Sequence, residues 1–244
     1  MIELVNAIII ISLIIIIYKY FEKSSYDVVM VKSQSNGKEY LVRNLADKQE
    51  AADLLGNIAI KLEKLVNIIN TSGYEKIYDK YMKVDIDKET NSNINTSSNG
   101  KDLIQGQDGG SSQNQTLEHE MKMKLKADIA RLVKNFNNGE NILSESTPDA
   151  KYTSYTVNKS NMIFCMRDKK EGERIVKENI LTFVSIHELG HIMNATIGHD
   201  IPFWDSFRLL LRIAIDNNLY KNVDFNSTPK DYCGIKISDS PLKK

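Results

Sequence analysis

Cysteine is scarce in this 244-residue chain, and neither sign of charge is in excess. Cys165 and Cys233 are the only cysteines, and two thiols are too few for a disulfide framework or a four-cysteine zinc site. The 32 lysines and arginines balance the 32 aspartates and glutamates. No overall basic field therefore exists to hold nucleic acid, and we predict no clear nucleic-acid site.

One long apolar run is present, at the start of the chain. Residues 2–20 are almost entirely apolar and would span about 28 Å as a helix, close to the roughly 30 Å of a bilayer core. No basic segment precedes the run and no small-residue cleavage site follows it, so we expect residues 1–22 to form an uncleaved transmembrane anchor instead of a cleaved signal peptide.

The flanking charges and the cysteines suggest an orientation for this anchor. Lys19 and Lys23 follow the run and weakly favour a main domain on the cytoplasmic side. Two cysteines without an evident partner agree with a reducing compartment. The expectation is a single-pass membrane protein, with a virion membrane as an alternative location.

The middle of the chain divides into a folded part and a polar part. Residues 23–84 are predicted to form a hairpin that turns at Asn36-Gly37, followed by a long helix that Asn44 caps and Gly73 ends. Residues 85–115 consist mainly of Asn, Ser, Thr, Gly and Gln. Such a segment buries too little apolar surface to order itself, so we expect a disordered insertion; an interdomain linker is the alternative.

Residues 116–244 are predicted to form the remaining core of the domain. Thr116 caps a helix, and two strands at 152–157 and 162–167 form a second hairpin. An apolar helix begins near Lys177.

Two histidines four residues apart carry the clearest chemical signal. His187 and His191 lie in the segment His187-Glu188-Leu189-Gly190-His191, within the helix that begins near Lys177. Histidines at this spacing share one face of a helix, so both imidazoles can bind one metal ion. Glu188 lies on the neighbouring face, where its carboxylate can act as general base on a water that zinc activates.

A third histidine follows after a segment that can reverse the chain. Gly198 can adopt a positive φ, which would return His199 to the ion as a third ligand. In the alternative, His199 is a turn residue and the helical pair is part of a polar core. His119 is expected at the surface.

The residues around these histidines suggest supporting roles. Asp200 or Ile201 is predicted to cap the next helix, and Trp204 to pack against the turn at His199. Asp200 and Asp205 are each expected to be surface acids, with the orientation of a liganding imidazole by one of them as the alternative. Gly190, which costs roughly 1 kcal/mol in a helix interior, is expected where another backbone approaches beneath the metal.

The last part of the chain is less informative. Residues 232–241 alternate and are predicted to add an edge strand, with Cys233 as a buried thiol and not a zinc ligand. The sequence does not choose among four candidates for stabilising an oxyanion, namely Tyr152, Tyr155, Arg208 and Tyr232.

The segment HELGHIM, followed by GHDIPFW, resembles the Wss1-like (WLM) and SprT-like metalloproteases, small zincins with HExxH, a third histidine and an aromatic pair in that order. The hairpin and helix before the motif look like the region that those families place before the catalytic helix, and the resemblance covers about residues 151–217. It implies an α+β, zincin-like metallopeptidase core in which a small antiparallel sheet packs on helices. It also implies zinc bound by His187, His191 and His199, with Glu188 as general base.

The whole layout is similar to membrane-anchored metalloprotease-like proteins of large DNA viruses. The sequence therefore predicts a membrane-anchored, zinc-dependent metallopeptidase acting on a protein or peptide substrate and anchored through residues 2–20. One alternative is a non-enzymatic membrane or virion protein with a structural or vestigial zinc site. Hydrolysis of a non-peptide amide is a weaker alternative.

Overall fold

Two hairpins supply four of the five strands in the main sheet. Strands β1 (Val28–Lys32) and β2 (Glu39–Arg43) form the first hairpin, and β4 (Ser154–Val157) and β5 (Asn161–Phe164) form the second. Strand β3 (Leu143–Glu145) lies between them and runs parallel to both β2 and β5. The computed structural model describes residues 9–16, 27–83, 109–137, 143–168 and 172–242.

The strand order is β1-β2-β3-β5-β4, which leaves β4 at an edge. Both hairpins confirm the sequence prediction, and their turns use left-handed backbone, with φ of 73° at Gly37 and of 52° and 55° at Asn158 and Lys159. The expectation of an antiparallel sheet is wrong, because β3 joins the hairpins through parallel pairs. Three residues carry too little apolar periodicity to be recognised as a strand.

Five helices cover the sheet and one another: α1 (Lys48–Ser72), α2 (Tyr74–Tyr81), α3 (Gly109–Asn137), α4 (Glu178–Met193) and α5 (Ile201–Asp216). The residues that α1 buries recur with helical spacing and pack toward β1 and β2, as its amphipathic pattern predicts.

The helix boundaries differ from the prediction at α1 and α3. Asp47, and not Asn44, is the residue before α1, whereas Gly73 ends that helix as predicted, with a φ of 79°. Helix α3 begins at Gly109, seven residues before the predicted cap Thr116. The end of the predicted polar insertion is therefore helical, and residues 85–108 of it lie outside the described residues.

Helix α4 lies at the centre of the fold. It packs against α1, α3, α5 and β4, and most of its side chains are buried on every face. A helix that is apolar all round is stable only in such an environment. The polar motif residues of α4 are therefore held by apolar neighbours on several elements.

The end of the chain forms a separate two-stranded hairpin, β6 (Lys230–Tyr232) and β7 (Ile235–Ile237). The predicted addition of an edge strand to the main sheet is therefore wrong. Cys233 in this hairpin forms a disulfide with Cys165, which follows β5. The expected buried thiol is also wrong, because only the tertiary fold brings together two cysteines 68 positions apart. Because the two cysteines are paired, they give no reason to expect a reducing compartment.

Residues 9–16 are helical, and their isoleucine and leucine side chains are each more than half exposed. The rest of the predicted anchor, residues 1–8 and 17–22, lies outside the described residues. Within the described ranges, no helix combines the length and hydropathy that a membrane span requires.

Replacing Cys233 with serine is expected to lower the free energy of unfolding by about 2–4 kcal/mol, because the bridge restricts the unfolded chain. Cys165→Ser should cost the same, and the double variant should cost no more than either single variant, since all three remove one bond. Urea unfolding measures these differences. Additive losses, or two titratable thiols in oxidised wild-type protein, would contradict the disulfide.

Candidate metal centre

Three imidazoles from two parts of the chain converge on one point. His187 and His191 lie one turn apart on α4, with ring centroids 5.0 Å apart. The ring of His199 is 4.9 Å from that of His187 and 4.8 Å from that of His191. One ligand atom from each residue lies within 4.8 Å of the others. The structure therefore brings together the three residues that the sequence predicted as ligands.

The spacing of the nitrogen atoms fits a zinc ion. The Nε2 atoms of His187 and His199 are 3.0 Å apart, close to the roughly 3.3 Å expected for two nitrogens that each bind a tetrahedral zinc at about 2.0–2.1 Å. Burial, reinforced by the neighbouring imidazoles, lowers the pKa of His187 to about 3. Burial likewise lowers the pKa of His191 to about 4. Both rings are then neutral near pH 7, which is the form that binds a metal.

The number of candidate ligands determines how many coordination positions a bound metal would keep free. In the described part of the chain, the cluster of potential metal ligands consists of these three histidines. Cys233 is excluded as a fourth ligand because its sulfur is in the disulfide. Three protein ligands leave one coordination position for water or substrate, whereas structural zinc sites are closed by four.

The loop after α4 is held in a defined reversal. Gly198 has a φ of 101°, which confirms the predicted turn. Asp200 caps α5, accepting a hydrogen bond from the Phe203 N–H at 3.1 Å and another from Asn194 Nδ2 at 3.2 Å. Thr196 Oγ1 donates to the same carboxylate, and this bond lowers the pKa of Asp200. The carboxylate thus ties both ends of the loop that carries His199.

Trp204 contacts His199 through the His199 backbone, whereas the carboxylates nearby have other partners. The indole Nε1 of Trp204 donates to the His199 carbonyl at 3.0 Å, which confirms the predicted packing of Trp204 on this turn. Asp205 pairs with Arg208 at 3.1 Å. The Asp200 carboxylate therefore bonds to the loop and the Asp205 carboxylate to an arginine. Neither contact supports the alternative in which one of them orients an imidazole.

Phe203 lies beneath all three imidazoles. Its ring is fully buried, stacks on His191 at 4.3 Å, and lies 4.9 Å from His187 and 4.7 Å from His199. A Cβ on Gly190 would come within 3.2 Å of this ring. The prediction that another group approaches Gly190 closely is confirmed. That group is the side chain of Phe203, whereas a backbone was expected.

Glu188 is buried beside the histidines and has a partner that the sequence did not reveal. It is 4% exposed, and burial raises the pKa of its carboxyl to about 7, against a lowering effect of the hydrogen bond from Thr156. Thr156 Oγ1 donates to Glu188 Oε2 at 2.7 Å. Thr156 lies on the predicted strand at 152–157, but no pattern in the sequence indicates that this strand faces α4.

A cleft of about 660 Å³ runs past these residues. One side is the edge strand β4 and its turn, and the other is the His199 loop. Lys159 Nζ joins the two sides by donating to the carbonyls of Asn194 and Ala195. Within the described ranges, the cleft therefore runs along a strand edge that has no further strand paired to it.

Two of the four candidates for stabilising an oxyanion lie in the cleft. Tyr152 and Tyr155 line the cleft. Tyr232 is buried, and its hydroxyl contacts Ser154 at 2.7 Å and donates to the Cys165 carbonyl at 2.8 Å. Arg208 Nε donates to the Pro241 carbonyl at 2.9 Å. The two tyrosines of the cleft thus have the better placement.

His119 is exposed on α3 and does not belong to the histidine cluster, which confirms its predicted surface position. It is therefore a suitable control residue for experiments on metal binding.

Comparison with known proteins gives viral relatives. The chain is 29% identical over 243 residues to uncharacterized protein R325 of Acanthamoeba polyphaga mimivirus, covering 98% of each chain. It is 33% identical over 97 residues to uncharacterized protein 136R of Invertebrate iridescent virus 6, covering 39% of this chain and 53% of that protein. Uncharacterized protein 042R of Invertebrate iridescent virus 3 is 35% identical over 82 residues, covering 34% and 50%. No family model and no solved structure matches the chain.

His199→Ala is expected to weaken zinc affinity by more than about 100-fold, since losing a ligand should exceed the roughly 10–100-fold effect of losing a group that only orients one. The measurement is zinc content after dialysis against a graded chelator. His119→Ala is the matched control and should keep the wild-type affinity. Equal zinc retention in the His199 and His119 variants would remove His199 from the ligand set.

Proposed function

We propose that this protein is a zinc-dependent metallopeptidase with a minimal zincin-like domain, hydrolysing peptide bonds in a protein or peptide substrate. The observation that carries the proposal is the convergence of His187, His191 and His199 beside the buried Glu188 carboxylate, at the base of an open cleft. This is the arrangement of a nucleophile-activating site with one coordination position left for water or substrate.

The ligands and the carboxylate divide the chemistry between them. Zinc held by the three imidazoles would supply a Lewis acid that polarises the substrate carbonyl and makes water acidic near neutral pH. Glu188 takes the proton of the attacking water and later delivers it to the leaving amine. Thr156 holds one oxygen of Glu188 at 2.7 Å, and we assign the proton transfer to the other oxygen.

The edge strand gives a physical reason to favour a peptide as substrate. Among the described residues, strand β4 pairs with β5 on one side only, and Ser154, Tyr155 and Thr156 line the cleft. An extended peptide can pair with such an edge through main-chain hydrogen bonds, which are independent of its sequence. A peptide bound in this way would run past Glu188, within reach of the candidate metal centre.

The location of the domain is a separate part of the proposal. We infer that residues 2–20 tether the protein to a membrane, supported by the exposed isoleucines and leucine of the helical segment 9–16. The Cys165–Cys233 disulfide favours placing the catalytic domain in an oxidising compartment or in a virion, since disulfides persist under oxidising conditions. This reverses the cytoplasmic placement that the sequence favoured.

Glu188→Gln is expected to abolish peptide hydrolysis while leaving zinc bound, because the amide cannot accept the proton but the three imidazoles are unchanged. Turnover of a mixture of unstructured peptides, read by mass spectrometry, is the measurement. Glu178→Gln is the matched control, since Glu178 lies on the same helix about 15 Å away along the axis.

Two results would contradict the peptidase. Full activity of Glu188→Gln would exclude Glu188 as general base. Zinc binding by the wild type without cleavage of any peptide would support the alternative of a structural or vestigial zinc site in a non-enzymatic protein.

The tether predicts co-flotation of the full chain with phosphatidylcholine vesicles in a density gradient. Replacing Ile10 and Ile14 with lysine should abolish flotation, because each buried lysine costs about 2.5–3.5 kcal/mol at the centre of a span. Ile60→Lys, at an exposed isoleucine of α1, should float like the wild type. Equal flotation of all three proteins would contradict insertion through residues 9–16.

A further inference from the structure

An apolar pocket of about 240 Å³ lies next to the candidate metal centre. His187, Glu188 and Ser154 line both this pocket and the cleft. The pocket therefore branches from the cleft at the residues that are proposed to carry out hydrolysis. A peptide in the cleft would place a side chain that flanks the scissile bond at the mouth of the pocket.

Two different parts of the chain build the pocket. Phe183 and Val184 of α4 and Phe207 of α5 are buried and form its inner surface. The outer surface belongs to the β6–β7 hairpin, with Ile235 and Ile237 on one face of β7. Because side chains alternate along a strand, Lys236 between them points to the opposite face.

The hairpin is fixed in place at its turn, where Cys233 and Gly234 connect β6 to β7. The Cys165–Cys233 disulfide joins it covalently to the end of β5. The buried Tyr232 hydroxyl adds hydrogen bonds to Ser154 and to the Cys165 carbonyl. These bonds therefore hold the outer surface of the pocket at a fixed distance from α4 and α5.

Size and charge determine which side chain fits. An apolar cavity of about 150 Å³ is known to hold a benzene molecule, so this pocket has room for an aromatic or a long aliphatic side chain. Among the described residues, lysine and arginine are absent from its lining, whereas the carboxyl groups of Glu188 and Asp239 are present. An acidic side chain would thus find no cationic side chain there. Ile235 is 51% exposed and Trp204 is 40% exposed. An aromatic or long aliphatic side chain in the pocket would cover this apolar surface.

We propose that the β6–β7 hairpin is the substrate-selecting element of this protein. Ile235 and Ile237 form the surface against which one bulky apolar side chain of the substrate, next to the scissile bond, is buried. The inference rests on the proposed peptidase function and adds the class of peptide that the enzyme cleaves. A pocket of this kind discriminates by buried apolar area, and each additional methylene is worth roughly 10–200-fold in kcat/KM.

The first test compares otherwise identical peptides with Phe, Ala, Lys or Asp at the position flanking the cut. The expected kcat/KM for the Phe peptide exceeds that of the Ala peptide by at least about tenfold. Ile237→Tyr should fill the pocket and remove this preference while the Ala peptide is still cleaved. Lys236→Tyr places the same ring on the opposite face of β7 and should keep the preference.

A second test measures binding without turnover. Trp204, the only tryptophan in the chain, lines the pocket, so its fluorescence reports occupancy in the zinc-loaded Glu188→Gln variant. The Phe peptide should give a saturable change with a Kd at least about tenfold lower than that of the Ala peptide. Adding Ile237→Tyr should abolish that difference.

The two tests separate this inference from the proposed function. Cleavage without preference for Phe, a preference for Lys or Asp, or a preference unaffected by Ile237→Tyr would overturn the assignment of the hairpin. Phe-selective fluorescence without any cleavage by the wild type would support the pocket and overturn the peptidase. Equal binding of the Phe and Ala peptides in the fluorescence assay would overturn the pocket whether or not cleavage occurs.

Discussion

The site depends on the hydrogen bonds of the Asp200 carboxylate. This one group caps α5 through the Phe203 N–H and ties down the preceding loop through Asn194 and Thr196. Two of the candidate ligands lie on helix α4, but His199 lies on a loop, where side chains are ordinarily mobile. Fixing both ends of the loop holds the third imidazole beside the other two, which would reduce the conformational entropy lost on binding a metal.

Burial on α4 has both structural and chemical consequences. The apolar surroundings that make α4 a stable central helix also lower the pKa of His187 and raise the pKa of Glu188, because each charged form is poorly solvated there. The hydrogen bond from Thr156 to Glu188 Oε2 satisfies part of that buried carboxylate. The same residues of α4 therefore belong both to the core of the protein and to its proposed active site. The cleft gives a substrate access to these residues.

Local patterns in the sequence predicted the elements that contribute the ligands. The helical spacing of His187 and His191, the reversal at Gly198 and the hairpin before the motif all depend on contacts between residues near each other in the chain. The structure confirms each of these features. The pairing of Thr156 with Glu188, across 32 positions, left no such local trace. The parallel strand β3 was missed because three residues give no measurable period.

Composition and spacing alone thus determined that two imidazoles share a helix face and that a carboxylate stands beside them, since 3.6 residues per turn permits no other placement. The tertiary structure decided three further points: that a third imidazole joins the first two, that the carboxylate has a hydrogen-bond partner, and that the two cysteines meet. The cysteines and the β6–β7 hairpin illustrate the physical reason. Their positions follow from the packing of the whole chain around α4, and contacts at that range are selected by the sum of all buried surfaces and not by neighbouring residues.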